Sequence, residues 1–268
     1  MQQMENTLLL SASDLIGHLN CQHLTGLDLA VANGTLEKPK VWDPLLQLLW
    51  ERGARHEKGF IEHLTSQGFS VTVIDGSIID DAAVERTREA MTAGAEIIVQ
   101  GALRGNGWVG RADILRRIAT ASDLGAWSYE VIDTKLARET KGGAVLQLCL
   151  YADLVAAIQV LRPTFGHIVA PWTDYQPQTF RMDDYAAYYR RVKRSLEKAA
   201  HEQAAVEIYP DPKEHCDICR WQNRCDKRRR ADDHLSLVAG ISKLHIDELK
   251  RRDVATTGAL AVMPVPLA

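Results

Sequence analysis

The sequence predicts an α/β fold with a mixed central sheet flanked by helices. Strand-like apolar runs alternate with helical patterns through the middle of the chain. Gly105-Asn106-Gly107 joins two of those runs as a hairpin turn, and a helix separates the next strand pair from the strand that follows. Taken in order, Ser11 to Ala32 has a helical pattern of Leu15, Ile16, Leu19, Leu27 and Ala30, with Ser13 and Asp14 as caps and Cys21 inside. After a polar break, Asp43-Pro44 starts a long helix running from Leu45 to about Ser66, which carries His56 and His63. Phe69 to Ile74 reads as a strand, Asp80 to Met91 as an amphipathic helix opened by two acids, and Glu96 to Leu103 as a strand. Trp108 to Ile118 and Trp127 to Leu136 form a second hairpin across a polar loop containing Ser122, Asp123 and Gly125. A helix from about Gly143 to Val160, a strand from Phe165 to Ala170 and a helix from Asp183 to about Ala204 complete the core. The composition then changes to a Cys- and Arg-rich segment, followed by a small helical tail, so the expected units are residues 1–230 and 231–268.

Of the 268 residues, 46% are hydrophobic and 25% charged, with 32 Lys+Arg against 35 Asp+Glu. That balance excludes disordered, collagenous and wholly basic chains, and the length suffices for a core without covalent staples. The N-terminus lacks the basic and apolar regions of a signal peptide, and no uncharged run reaches the ~18 residues of a membrane span. The expectation is a cytoplasmic protein with no membrane partner. Reduced thiols are the rule in that compartment, so an odd count of five cysteines points to metal binding plus one leftover.

Chemistry concentrates first in Val131-Ile132-Asp133-Thr134-Lys135. Alternation along a strand puts Asp133 and Lys135 on one face, with Val131. On the preceding strand, Gly110-Arg111-Ala112-Asp113 places Asp113 where a cross-strand neighbour brings it near Asp133. Two carboxylates hold a hard divalent ion such as Mg²⁺ or Mn²⁺ through oxygen, and a lysine beside them can orient or activate an attacking water. Asp-x-Lys alone is weak, since surface strands carry such pairs often. It gains weight from Gln147 and Tyr151, at i and i+4 on the next helix, and from His56-Glu57 on the helix before the sheet.

The second constellation is Cys216-x2-Cys219-x5-Cys225. Such thiolate spacing suits a zinc site or an iron–sulfur cluster and does not choose between them. The fourth ligand is one of Cys21, His215, His234 and Cys149. Six basic residues, Arg220, Arg224, Lys227, Arg228, Arg229 and Arg230, overlap this segment against one acid, Asp226, and form a patch able to neutralise phosphates. A weaker basic run, Arg190, Arg191, Lys193 and Arg194, lies on a helix with Tyr185, Tyr188 and Tyr189, whose rings could stack on bases. The tail from Leu235 looks like part of a helix-hairpin-helix unit, in which a Gly-rich turn offers N–H groups to phosphate. Gly240 fits the first glycine, and Ser242 stands where the second is expected.

Together Gly53-Ala54-Arg55-His56, Gly110-Arg111-Ala112-Asp113, Asp133-Thr134-Lys135 and Gln147-Leu148-Cys149-Leu150-Tyr151 resemble the RecB-like branch of the PD-(D/E)xK nucleases. The likeness is strongest to its iron–sulfur members, similar to CRISPR-associated RecB-like and AddB-type nucleases, and covers roughly residues 10 to 230. Two positions depart from the family pattern: Ala112 stands for Pro, and Asp133 for the commoner Glu. The resemblance implies a restriction-endonuclease-like core in which His56, Asp113, Asp133 and the Thr134 carbonyl bind the metal, and Lys135 serves the nucleophilic water. Gln147 and Tyr151 would support the lysine or bind the DNA backbone. By the same resemblance Cys21, Cys216, Cys219 and Cys225 hold a 4Fe–4S cluster that clasps the chain ends, which leaves Cys149 as a core residue. The implied activity is a DNA nuclease, an exonuclease or an end- or single-strand-directed DNase of repair, recombination or processing. A helicase is an implied partner, since one follows the nuclease region in many relatives. Two rival readings are a cluster-stabilised DNA-binding module inactive without that helicase, and a zinc-bound structural protein.

Overall fold

The computed structural model describes residues 1–4, 7–40, 43–201 and 208–264. Its strands are β1 (Gln2–Met4), β2 (Thr7–Ser11), β3 (Val71–Val73), β4 (Ile97–Gly105), β5 (Trp108–Ile118), β6 (Ser128–Thr134), β7 (Phe165–Val169) and β8 (Gln178–Arg181). The α-helices are α1 (Ala12–Asn20), α2 (Gln22–Ala32), α3 (Pro44–Ser66), α4 (Asp81–Thr92), α5 (Gly142–Gln159), α6 (Met182–His201), α7 (Gln222–Ala231), α8 (Lys243–Arg251) and α9 (Thr257–Ala261). The strands form one mixed sheet: β4 to β5, β5 to β6 and β7 to β8 are antiparallel, while β2 to β5, β3 to β4 and β6 to β7 are parallel. The expected α/β architecture is therefore present.

Period-two alternation decides which helix each strand residue meets. Ile97, Val99, Ile114 and Ile132 face Phe60 and Leu64 of α3, whereas Ile98, Leu115 and Val131 face the larger core shared with α1, α4, α5 and α6. Helix α5 is apolar on nearly all sides because it is enclosed. It is the one described helix long and apolar enough to cross a membrane, and Leu146, Leu148, Leu150 and Val155 are instead spent on this core. Truncating any of these leucines to alanine costs about 2–5 kcal/mol.

One topological feature opens the site. Strand β5 carries β4 along one edge, but its other edge is divided: β2 takes Trp108 and Val109, and β6 takes Ile114 to Ile118. Between them, residues 110–113 are left for side chains. Gly110 sits in this opening because a Cβ there would lie 2.3 Å from the Tyr151 ring.

Several expectations change. The helix predicted from Ser11 to Ala32 is two helices, broken at Cys21, whose φ of −157° and ψ of 108° are extended. Ser11, not Ser13, is the cap: its hydroxyl accepts from the Asp14 N–H, and Asp14 returns a bond to the Ser11 N–H. Strands β1, β2 and β8 were not expected at all. The last part of the helix predicted to reach Ala204 lies outside the described residues, as does the end of the tail. Within the tail, Gly240 has a φ of +73° and Ser242 caps α8 by accepting from the His245 N–H at 3.2 Å. The missing second glycine is thus a helix cap.

Candidate active site

Asp113 and Asp133 meet where β6 ends. The register pairs Ile114 with Ile132, so the next cross-strand position sets the two aspartates opposite one another. There the ladder gives way to side chains: the Thr134 N–H and hydroxyl both donate to Asp113 Oδ2, at 2.8 and 2.9 Å. Asp133 is 1% exposed and accepts from the Gln147 side-chain amide at 3.0 Å. The same amide nitrogen donates to the Tyr151 hydroxyl at 3.2 Å. The i, i+4 pair on α5 therefore supports a carboxylate, where the resemblance had implied the lysine or the DNA backbone.

The second oxygen of Asp133 is held by the ammonium of Lys135 in an ion pair. Burial, followed by the like charge of Asp113, pushes the Asp133 carboxyl up to about 7. Burial and the same two carboxylates also raise the Tyr151 phenol, which stays neutral. A buried carboxylate set opposite a second one is an oxygen donor pair of the kind a hard dication takes, so these two residues fit a Mg²⁺ or Mn²⁺ ion.

Helix α3 brings His56 and Glu57 toward this end of the sheet. His56 turns its Nε2 to the Val169 carbonyl at 3.0 Å and stacks on Tyr175, with ring centroids 5.9 Å apart. Among the described residues, no group of three His, Cys, Asp or Glu side chains is gathered closely enough to hold a metal. Glu57 is the α3 side chain whose charge is felt by the pocket. Burial raises its carboxyl, with Asp113 next in effect, while a 2.6 Å hydrogen bond from the Gln100 side chain opposes the shift. On the helix, Glu57 shares the i, i+3, i+7 stripe with Phe60 and Leu64, while His56 lies about 100° around. That stripe was the available signal for Glu57. For Gln100 the sequence offered none.

The four predicted cluster cysteines line one pocket, with His215, Trp221 and Arg229 among its walls. Cys21 enters from the break between α1 and α2, Cys216 and Cys219 from the 3-10 turn Glu214–Ile218 and its cap, and Cys225 from α7. All are free thiols. Burial raises Cys219, and raises Cys225 to about 11, with the neighbouring thiols adding to both shifts. The Lys213 N–H donates to Cys216 Sγ at 3.3 Å. Thiols are soft donors of the kind iron–sulfur and zinc centres use, and these four share one wall without being gathered into a metal-holding group among the described residues. Of the alternative fourth ligands, His234 is engaged by Ser236 and Tyr209, and Cys149 is buried against Met182.

The basic segment divides. Arg229 is 6% exposed and donates to the Pro210 carbonyl, so it cannot reach phosphate, while Arg228 pairs with Asp232 and Arg230 with Asp226. Arg220, Arg224 and Lys227 are exposed and carry no ion pair among the described residues. On α6, Arg190, Arg191 and Arg194 are exposed, but Tyr189 is buried on Asp153 at 2.8 Å and Lys193 leans over Trp108. Of the three tyrosines there, Tyr188 has the open ring.

The sequence profile of the PD-(D/E)XK nuclease superfamily matches residues 30–226, a span that includes the aspartate pair, Lys135, Gln147 and Tyr151. The chain belongs to this superfamily. PD-(D/E)XK proteins are generally metal-dependent nucleases. No curated protein matches the chain. A solved structure, "Crystal structure of SSO0001", is 16% identical over 85% of this chain and 89% of its own, with a TM-score of 0.34.

Proposed function

We propose that this protein is a divalent-metal-dependent deoxyribonuclease that hydrolyses phosphodiester bonds at DNA ends or in unpaired strands, in repair, recombination or processing. The observation that carries the reading is the convergence of Asp113, Asp133 and Lys135 at the divided edge of β5. Asp113 and Asp133 would hold the ion, with His56 and the Thr134 carbonyl as the ligands the resemblance adds. Bound Mg²⁺ or Mn²⁺ supplies charge neutralisation at the phosphate and makes water more acidic. Lys135, whose ammonium sits beside Asp133, is placed to orient the attacking water. Gln147 fixes the rotamer of Asp133, and Thr134 that of Asp113, so neither carboxylate has to be ordered when substrate arrives. Arg220, Arg224 and Lys227 provide the open cations of the basic segment for the DNA backbone.

The cysteine pocket is read as a 4Fe–4S site of Cys21, Cys216, Cys219 and Cys225. What supports it is the four-thiol lining, with one ligand from the N-terminal helices and three from the region after the sheet. The test joins both centres. Anaerobically purified protein is analysed for iron, sulfide and zinc, and the same sample is assayed for cleavage of end-labelled DNA with Mg²⁺ or Mn²⁺. Iron with sulfide and metal-dependent cleavage are expected. Zinc without iron would overturn the cluster, and salt-sensitive binding without cleavage under any dication would overturn the nuclease.

A further inference from the structure

Strand β4 holds a residue in a conformation that strands do not use. Seven non-glycine residues among those described have positive φ, and Gln100, at +56°, is the one inside a strand. The left-handed region is costly for a residue with a Cβ, and such outliers persist where the surroundings over-determine them. The ladder between β4 and β5 pairs Val99 with Ile114 and Gly101 with Ala112, which leaves Gln100 opposite Asp113.

What holds Gln100 there is visible on both sides. Its carbonyl accepts from Arg111 Nη1 at 2.6 Å. That guanidinium also donates to the Ile74 and Ile78 carbonyls, at 3.3 and 2.9 Å, tying β4 to the segment after β3. On the other side the Gln100 amide donates to Glu57 Oε1 at 2.6 Å. In an ordinary extended conformation the side chain would leave along one face of the sheet. The turned backbone aims it at α3 instead.

We infer that Gln100 is a positioning residue, held in a strained conformation by Arg111, that fixes Glu57 as a third, outer carboxylate of the Asp113–Asp133 pocket and so raises that pocket's affinity for a divalent cation. The inference rests on the metal-pocket reading above and adds a residue pair to it. Glu57 stands outside the aspartate pair, in keeping with the absence of a three-donor group among the described residues. Its contribution is charge at the pocket's edge, on the α3 side of the sheet, opposite the support from Gln147.

The test measures Mn²⁺ binding by calorimetry together with the melting temperature of the metal-free protein. Gln100→Gly removes both the strain and the amide. Its metal-free melting temperature is expected not to fall, and to rise by up to about 4 °C, while Mn²⁺ binding weakens about tenfold. Gln100→Asn, which tolerates positive φ but is too short to reach Glu57, is expected to weaken Mn²⁺ similarly with little change in melting. Glu57→Gln weakens Mn²⁺ about tenfold, and the double variant Gln100→Gly with Glu57→Gln is no weaker than Glu57→Gln alone. Wild-type Mn²⁺ binding that is lost in Asp113→Asn but unchanged in Gln100→Gly overturns the inference alone, as do additive losses in the double variant. Absence of Mn²⁺ binding in the wild type overturns the metal pocket and this inference with it.

Discussion

Asp113 and Asp133 hang from adjacent strands of one sheet, whereas the four cysteines arrive from the N-terminal helices, a short 3-10 turn with its cap, and α7. The first pocket is prepared by the fold: each carboxylate has its own donor, Thr134 for Asp113 and Gln147 for Asp133, and Lys135 holds the other Asp133 oxygen. The second pocket has four thiols, few hydrogen bonds and a small apolar cluster of Leu24, Leu27, Trp221 and Cys225 around it. A site of the first kind survives without its ion, since the sheet has other reasons to exist. A site of the second kind, if it binds a metal centre, would lend the fold stability through it, because binding free energy to the native state is also folding free energy.

The sharpest separation is expected from substitutions that remove one group from each pocket. Lys135→Ala or Asp113→Ala should lower Mn²⁺-dependent cleavage of labelled DNA about 10³-fold while moving the melting temperature little, because these groups act on the reaction and not on the core. Undiminished cleavage in both variants removes the assignment. Cys216→Ser or Cys219→Ser should do the reverse: lower bound iron and a melting temperature reduced by roughly 6–12 °C, for a loss of about 3 kcal/mol. An unchanged melting curve in iron-free protein would make the two pockets alike.

A pH series probes the prepared pocket directly. The folded Asp133 carboxyl titrates at about 7 against 3.8 when unperturbed, so between those values the native state binds the extra proton. Its contribution is therefore present below pH 4 and is lost as pH rises through 7 in metal-free protein. A cation displaces that proton, so Mn²⁺ affinity is expected to climb up to about tenfold per pH unit below 7 and level off above it. Flat affinity from pH 5 to 8 would contradict a buried acid in the pocket. Smaller effects belong to the scaffold. Gly110→Ala drives a methyl into Tyr151 and should cost about 1–3 kcal/mol in urea unfolding, with cleavage falling as Gln147 loses its neighbour. Ser11→Ala removes only a helix cap, about 1 kcal/mol, and should leave cleavage intact.

The two pockets also differed in how far they could be read from the sequence. Local patterns were legible: Trp108 to Ile118 is a strand with those bounds, and the Asp113–Asp133 pairing follows from strand alternation. The shared cysteine pocket was legible through the resemblance, since spacing alone says nothing of Cys21. What escaped depended on long-range or conformational facts. Strands β1, β2 and β8 are only three to five residues long, too short to show an alternation; β1 and β8 pair with their sequence neighbours β2 and β7, and β2 alone reaches far along the chain, to β5. Cys21 breaks a helix whose apolar pattern runs straight through it. The resemblance names a histidine on α3 and says nothing of Glu57, whose hydrogen bond to Gln100 spans 43 positions of chain. Arg229 looked like one more surface cation until burial placed it under Pro210.

The thiol pocket also has a consequence for how the protein is made. Cys216 follows Cys21 by 195 positions, and chains lengthen at about 5–20 residues per second. Cys21 is therefore synthesised about 10–40 s before the first of its three companions exists. During that interval β4 to β7 and α5 can fold around the aspartates, while the lone thiol stays open to oxidants. A centre held by the four thiols would be the last to close, and a chain cut short before Cys225 would have the sheet that carries Asp113 and Asp133 but at most three of the four thiols.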